Sequence, residues 1–343
     1  MVTLSLGTPG SHASFGTSRA WRAIAAGMFI LGFAGCGSRH DAGEKYYLVS
    51  ANIKNAYWQA AGAGLVEAAR SLGVAAELVG PENYDPQAEA QALRDAAAKE
   101  PAGILISVTD ANVIKPAIDE AIAKKVLVIT VDSDAPLSRR LTFIGTNNYQ
   151  AGLMGGRVLA DKLHNKGNVV FYTMPGQPNL DERLQGYKTV LGDRAQMKIM
   201  QIVDAKGDPG IAFDTTKQLL TKNPAPDAFV CLVSFACPEV ADVLDRNKVS
   251  GKVVVAMDTD PNTLGWIQKG LIDATIAQKP YTMSHYGVLM LDSLHHLKLP
   301  NLDMNWAEDT RSPVPMFVDT GATLIDKNNV GSFLKTQTTA SKQ

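Results

Sequence analysis

Four short stretches of this chain carry side chains able to grip a small polar molecule. The first is Asn55-Ala56-Tyr57-Trp58, an amide followed closely by two aromatic rings. Such rings can plate the apolar C–H faces of a pyranose or a similar ring; packing of a helix face is the plainer use of the same pair. The second is Asp132, followed by Ser133 and Asp134, and the third is Asp258-Thr259-Asp260. A carboxylate accepts two hydroxyl hydrogen bonds in fixed geometry, whereas a helix cap or a solvated turn is the ordinary role of such an aspartate. The fourth is Gln278, just before Lys279-Pro280. Its amide both donates and accepts, which suits hydroxyl groups.

None of these groups is catalytic in form. The chain has no Gly-x-Ser-x-Gly elbow, no phosphate loop and no His-Glu-x-x-His. Gly62-Ala63-Gly64 lacks the third glycine of a dinucleotide fingerprint and suits close helix–sheet packing instead. Of the six histidines, His12 and His40 precede the expected folded body. His295-His296 stand together late in a helix, where a surface or C-cap role is expected. The expectation is therefore a binding protein that is not an enzyme, with no catalytic residue, no cofactor and no metal site.

The elements that must position these groups alternate. Buried-strand patterns fall at 46–50, 75–79, 103–107, 126–132 and 143–145. Helical patterns at 57–72, 85–99 and 112–124 lie between them, and Gly73 stops the first. A second block follows, with helices at 149–163, 181–191, 213–222, 238–247 and 263–269. Its strands fall at 168–172, 198–203, 228–233, 253–258 and 274–278. This rhythm predicts an α/β protein of two Rossmann-like lobes, each a doubly wound parallel sheet. Residues 103–132 and 228–258 echo each other: strand, helix, apolar strand, aspartate. Open α/β sheets bind ligands at the carboxyl ends of their strands, so Asp132 and Asp258 are expected to face one cleft.

With 343 residues the chain can form two ordinary cores, and 45% apolar with 20% charged residues is a globular balance. A net charge of −1 offers nothing to nucleic acid. At the N-terminus, Arg19 and Arg22 precede an apolar stretch over 23–34 that suits a signal h-region and is too short for a transmembrane helix. It ends in Gly32-Phe33-Ala34-Gly35-Cys36. Small residues directly before a cysteine resemble the lipobox of bacterial lipoproteins, which implies lipidation at Cys36 after removal of a signal peptide over 1–36. Residues 37–45 then form a tether. Cys231 and Cys237 either pair, as an exported protein allows, or serve as two small apolar fillers.

Taken in order and spacing, several motifs over about 46–319 resemble the ribose/galactose-type periplasmic binding proteins of sugar ABC transporters. They are Val49-Ser50 with Asn55-Ala56-Tyr57-Trp58, Val128-Ile129-Thr130-Val131-Asp132, Phe143-Ile144-Gly145-Thr146-Asn147-Asn148, Glu182-Arg183-Leu184-Gln185-Gly186-Tyr187, the strand at 253–258, and Ala274-Thr275-Ile276-Ala277-Gln278. The resemblance implies the type I fold, with two lobes joined by three hinge crossings near Thr146, Lys279 and Asp309. One lobe would hold 46–146 and 279–308, the other 147–278 and 309–335, with 336–343 as a tail. The family's ligand contacts would fall on Asn55, Tyr57, Trp58, Asp132, Ser133, Arg183, Ser234, Asp258 and Gln278. Ser133 stands where ribose-type members often carry arginine, Ser234-Phe235 replaces Asn-Asp, and Asp181 competes with Arg183 for its place. Counting Asp132, Asp134, Asp181 and Asp258, the pocket would be rich in carboxylate and open to a sugar, a polyol or an amine. The implied activity is capture of a monosaccharide or polyol by a monomer and delivery to an ABC transporter permease. The alternative is presentation of the ligand to a membrane sensor kinase or chemoreceptor.

Overall fold

The computed structural model describes residues 40–41, 43–297, 310, 312 and 314–340, the side chains of 336–340 excepted. Cys36, the signal segment before it and Asp309 lie outside these residues. Uninterrupted apolar runs such as Gly103–Ile106, Val128–Val131 and Val253–Met257 are buried along their whole length. That is the signature of parallel strands covered on both faces. Helices begin where Asn55, Asp85, Asp110, Asn147 and Asp260 each accept a backbone N–H of the first turn.

The first lobe runs β1 (Lys45–Val49), α1 (Ala56–Leu72), β2 (Ala75–Val79), α2 (Pro86–Ala97), β3 (Gly103–Ile106), α3 (Ala111–Ala123), β4 (Val128–Val131) and β5 (Phe143–Gly145). The second runs α4 (Asn148–Lys162), β6 (Gly167–Thr173), α5 (Pro178–Gly192), β7 (Met197–Asp204), α6 (Pro209–Leu219), β8 (Ala228–Cys231), α7 (Ala236–Arg246), β9 (Val253–Met257), α8 (Pro261–Lys269) and β10 (Ala274–Ala277). Then α9 (Pro280–Leu297) returns to the first lobe and buries Met283, Val288, Leu291 and Leu294 in its core. β11 (Phe317–Asp319), β12 (Thr323–Asp326) and α10 (Val330–Ala340) complete the described chain.

The two sheets have the same order: β11-β5-β4-β3-β1-β2 and β12-β10-β9-β8-β6-β7. All pairings are parallel except that of β12 with β10. The echo between 103–132 and 228–258 is thus a structural one, since β3 and β4 occupy the same places as β8 and β9. Each lobe has its own core, one centred on Leu48, Leu105 and Ile129, the other on Phe171, Val230 and Val255.

One expectation needs correction. β11 pairs with β5 in the first sheet, and β12 with β10 in the second. The third passage between lobes therefore lies at Thr320-Gly321-Ala322, beyond the place near Asp309 that the resemblance implied. The first sheet had an open edge beside β5, and a late strand closes it. Asp319 ties this passage to the first one: its carboxylate accepts the N–H of Asn147 at 3.1 Å and of Gly321 at 2.8 Å. Gly321 has φ +78°, a conformation that favours glycine.

Candidate functional site

Asp132 follows β4 and Asp258 follows β9, and both leave their strand with a positive φ, 65° and 66°. Each backbone N–H is held by the neighbouring strand, Asp132 by the Ile144 carbonyl at 3.1 Å and Asp258 by that of Ile276 at 3.0 Å. Non-glycine residues in the left-handed region cluster at functional sites, where the surroundings hold them there. The same device in both lobes turns two carboxylates off the strand ends and into one cleft.

The cleft's inner chamber measures about 40 Å³ and is lined from both lobes, by Tyr57, Trp58, Tyr84 and Asp132 on one side and by Gln177, Asn179, Arg183, Ser234 and Asp258 on the other, with Gln278 at the crossing. An outer chamber of about 480 Å³ shares Tyr57, Ser234, Asp258 and Gln278 and reaches Asn55 and Asp260 at its mouth. Small-molecule sites commonly occupy about 300–1,000 Å³, so the inner chamber must widen, by movement of the lobes, to admit a sugar-sized ring. In the present arrangement a hydrogen bond crosses between lobes, from Asn179 Nδ2 to Asp132 Oδ2 at 3.1 Å.

Asp132 is nearly buried, and Tyr57 Oη donates to its Oδ1 at 2.5 Å. Burial pushes its carboxyl up to about 6, against the opposing pull of the Tyr57 hydroxyl and the Arg183 guanidinium. Burial likewise raises Asp258, while Arg183 and the Gln278 amide, which donates to Asp258 Oδ1 at 3.0 Å, pull it down. Burial, with Asp132 beside it, holds the Tyr57 hydroxyl in its protonated, donating form. The field of the buried Arg183 guanidinium favours the charged form of both carboxylates, against their burial.

Arg183 is the largest fully buried side chain of the protein's described residues. Its Nη2 and Nε donate to Asn148 Oδ1 at 2.6 and 3.2 Å, and its Nη1 to the Leu232 carbonyl at 2.6 Å. The backbone contact of α4 with α5 makes this possible. A Cβ on Gly152 would fall 2.1 Å from the Arg183 carbonyl oxygen, so the two helices approach at a distance only glycine allows. Cys231 and Cys237 are joined by a disulfide. The loop it closes contains Leu232, Val233 and Ser234, all three lining the inner chamber.

The structure thus brings Tyr57, Trp58, Asp132, Arg183, Ser234, Asp258 and Gln278 to one cavity. Trp58 contributes from the core, only 3% exposed and edge-on to Tyr57 at 5.1 Å. Asn55 spends its side-chain oxygen on the N–H of Tyr57 as the cap of α1 and stands at the mouth. Ser133 is not at either chamber: it is wholly buried in its own lobe, with its N–H on the Val131 carbonyl at 2.7 Å. The turn at Asp132 aims that residue into the cleft and takes the next one away from it.

The expected wealth of carboxylate is also corrected. Asp134 is held by Arg140 at 2.6 Å and by the Thr130 hydroxyl at 2.6 Å. Asp181 accepts the Gly176 N–H at 3.0 Å. Neither lines the cavity, and Arg183, not Asp181, does. Sequence reasoning missed Tyr84, Gln177 and Asn179 as lining residues. The signals were there in Asn83-Tyr84-Asp85-Pro86 and Gly176-Gln177-Pro178-Asn179, two polar turns leading into helices. It also missed Glu89, buried beneath the loop after β3, where it accepts the Ser107 hydroxyl at 2.8 Å and the Thr109 N–H at 3.1 Å. Burial raises that carboxyl to about 7.

Two α/β lobes of one topology, each presenting a strand-end carboxylate to a shared polar cleft, define a solute-binding protein. The periplasmic binding protein domain family matches residues 46–296, and the chain belongs to that family. The D-allose-binding periplasmic protein of Escherichia coli (strain K12) is 25% identical over 275 residues, which is 76% of this chain and 88% of that protein. A sugar-binding protein of a sugar ABC transporter from Bacillus halodurans is 30% identical with a TM-score of 0.76, covering 84% of this chain and 100% of the other. An ABC transporter solute-binding protein from Burkholderia graminis C4D1M, in complex with D-arabinose, is 25% identical with a TM-score of 0.78, covering 86% and 99%. These relatives are named as binding and transport proteins rather than enzymes.

Proposed function

We propose that this protein captures a neutral monosaccharide between its lobes and delivers it to an ABC transporter permease. The observation that carries the reading is the pair Asp132 and Asp258, one from each lobe, lining one chamber with Arg183. Sugar hydroxyls would donate to the two carboxylates and accept from Arg183, while Tyr57 and Trp58 supply apolar surface. Arg183 offsets one of the two carboxylates in the chamber, and relatives named for their ligand bind neutral sugars, so a neutral polyhydroxyl ligand is preferred here to an amine. A ligand that bridges both lobes stabilises the closed form through contacts the open form lacks. The contact between Asn179 and Asp132 would give way as the sugar's hydroxyls take its place. A micromolar dissociation constant corresponds to about −8 kcal/mol, within reach of a few charge-assisted hydrogen bonds and one apolar face.

One chain supplies both faces of the cleft, so binding needs no second copy, and the reading is of a monomer. On the same reading it works in the periplasm or cell envelope, anchored to a membrane through acyl chains on Cys36 at about 0.8 kcal/mol per buried CH₂. Its hinge consists of the three passages after β5, after β10 and between β11 and β12.

A thermal-shift screen against pentoses, hexoses, polyols and amines tests the ligand class. A native-state ligand raises Tm by mass action, and the expected result is a shift with a neutral pentose or hexose. A shift with amines alone would overturn the sugar assignment.

A further inference from the structure

We propose that His40, Glu44, Asp292 and His296 form a binding site for a divalent transition-metal ion of the zinc class. One ligand atom from each residue lies within 4.8 Å of every other. His40 Nε2 stands 2.9 Å from Asp292 Oδ1, and His296 Nε2 stands 3.5 Å from Glu44 Oε1. Ligands held at about 2.0–2.1 Å around a tetrahedral zinc lie about 3.3 Å apart; these two gaps are close to that, and the wider ones, within 4.8 Å, would close by side-chain rotation as the ion enters. Two imidazoles with two carboxylates suit zinc and its transition-metal neighbours, whereas magnesium and calcium prefer all-oxygen sites.

Three further features fit a metal centre. Glu44 is 93% buried at its side chain, since only 7% is exposed. Its Oε2 has no hydrogen-bond partner among the described residues. A buried carboxylate oxygen without a donor is costly unless a cation meets it. His296 Nδ1 lies 2.9 Å from the Asp292 carbonyl oxygen. A proton on Nδ1 donated there leaves the Nε2 lone pair facing Glu44, the tautomer a metal-binding imidazole needs. Tyr46 Oη donates to Asp292 Oδ1 at 3.0 Å and orients that carboxylate from outside the ligand set.

The site is separate from the sugar cleft. His40 and Glu44 precede β1, whereas the cleft lies at the carboxyl ends of the strands, and a five-residue strand spans roughly 16 Å. Asp292 and His296 are one turn apart on α9. A bound ion would fasten the segment leading into β1 to the last turns of α9. Each half of the site is a pair four residues apart, but their meeting is not visible in sequence because His40 and Asp292 are 252 residues apart. His295 and His296 are exposed in the last turn of α9, as expected, and the proposal adds a ligand role for His296.

The test uses the tag-free full chain, stripped with a chelator and dialysed. Titration with ZnCl₂ is expected to show one saturable ion per chain and a Tm rise of roughly 5 °C, with no response to Mg²⁺ or Ca²⁺. Co²⁺ is expected to give the visible bands of a tetrahedral site. The double variant His40→Ala, His296→Ala is expected to weaken zinc binding at least 100-fold, as is Glu44→Gln more mildly, by about tenfold. Failure of the parent to bind either ion saturably overturns the proposal, as does equal binding by parent and variants. The Co²⁺ spectrum of the parent keeps the question decidable if the double variant does not fold.

Discussion

Replacing Asp132 with asparagine separates two opposed contributions of one carboxylate. Asparagine is the right probe because Asp132 sits at φ 65°, where alanine would add backbone strain and asparagine does not. A carboxyl raised from 3.8 to about 6 costs the folded state about 3 kcal/mol when ionised, at about 1.4 kcal/mol per pKa unit. The direction follows from proton linkage. Below pH 3.8 the group is protonated in both folded and unfolded chains and costs nothing. Between 3.8 and about 6 the unfolded chain loses its proton first, and the cost grows. Above about 6 it is complete. The amide removes this cost but weakens the acceptor toward Tyr57 and Asn179, by about 1 kcal/mol each. The ligand-free variant is therefore expected to be as stable as the parent or modestly more stable at pH 7, with that advantage fading as pH falls toward 4. Sugar binding should move the other way. Loss of a charge-assisted hydrogen bond, about 1.5–3 kcal/mol, predicts an affinity about 10- to 100-fold lower. Thermal melts from pH 4 to 7.5, with calorimetric titration of the sugar found by screening, read both effects. Binding within threefold of the parent would remove Asp132 from the site. A stability difference that stays constant with pH would refute the electrostatic account.

Two other perturbations probe the supports of the cleft. Replacing both Cys231 and Cys237 with serine frees a short loop, with a sequence separation of 6. Loop-closure entropy predicts a stability loss of about 2 kcal/mol, and a several-fold weaker sugar affinity is expected because Leu232 and Ser234 lose their anchor; denaturant melts and titration check each in turn. Asp319→Ala removes the acceptor shared by Asn147 and Gly321 and touches no sugar contact. Small-angle scattering should show a changed balance of open and closed forms, with affinity altered by less than about tenfold, and an unchanged scattering profile would argue against a hinge role.

The alternation of buried runs and helical stretches in the sequence was enough to define two α/β lobes, because a strand covered on both faces must be apolar throughout. The aspartates closing β4 and β9 were legible for the same reason: a charge directly after such a run marks the strand's carboxyl end. The late strands β11 and β12 were not legible. Both are short; β11 has Phe317 and Asp319 open to solvent, and β12 buries only Ile325, so neither carries a run of buried residues. Only pairing with β5 and β10 reveals them, and that pairing moved the third hinge passage. Asp134 and Asp181 looked like pocket carboxylates because spacing alone does not show which neighbours a side chain finds. Tertiary packing gave one to Arg140 and the other to a backbone N–H.

From sequence alone came the fold class, the family resemblance and the residues at the ends of the strands, all properties of local pattern and order. Tertiary structure decided what those residues face. It set Arg183 in the chamber that Asp132 and Asp258 line, linked Cys231 to Cys237 under the site loop, and brought His40 and Glu44 to α9 from the far end of the chain. Such meetings depend on distances across lobes and sheets, which a linear pattern of residue types does not contain.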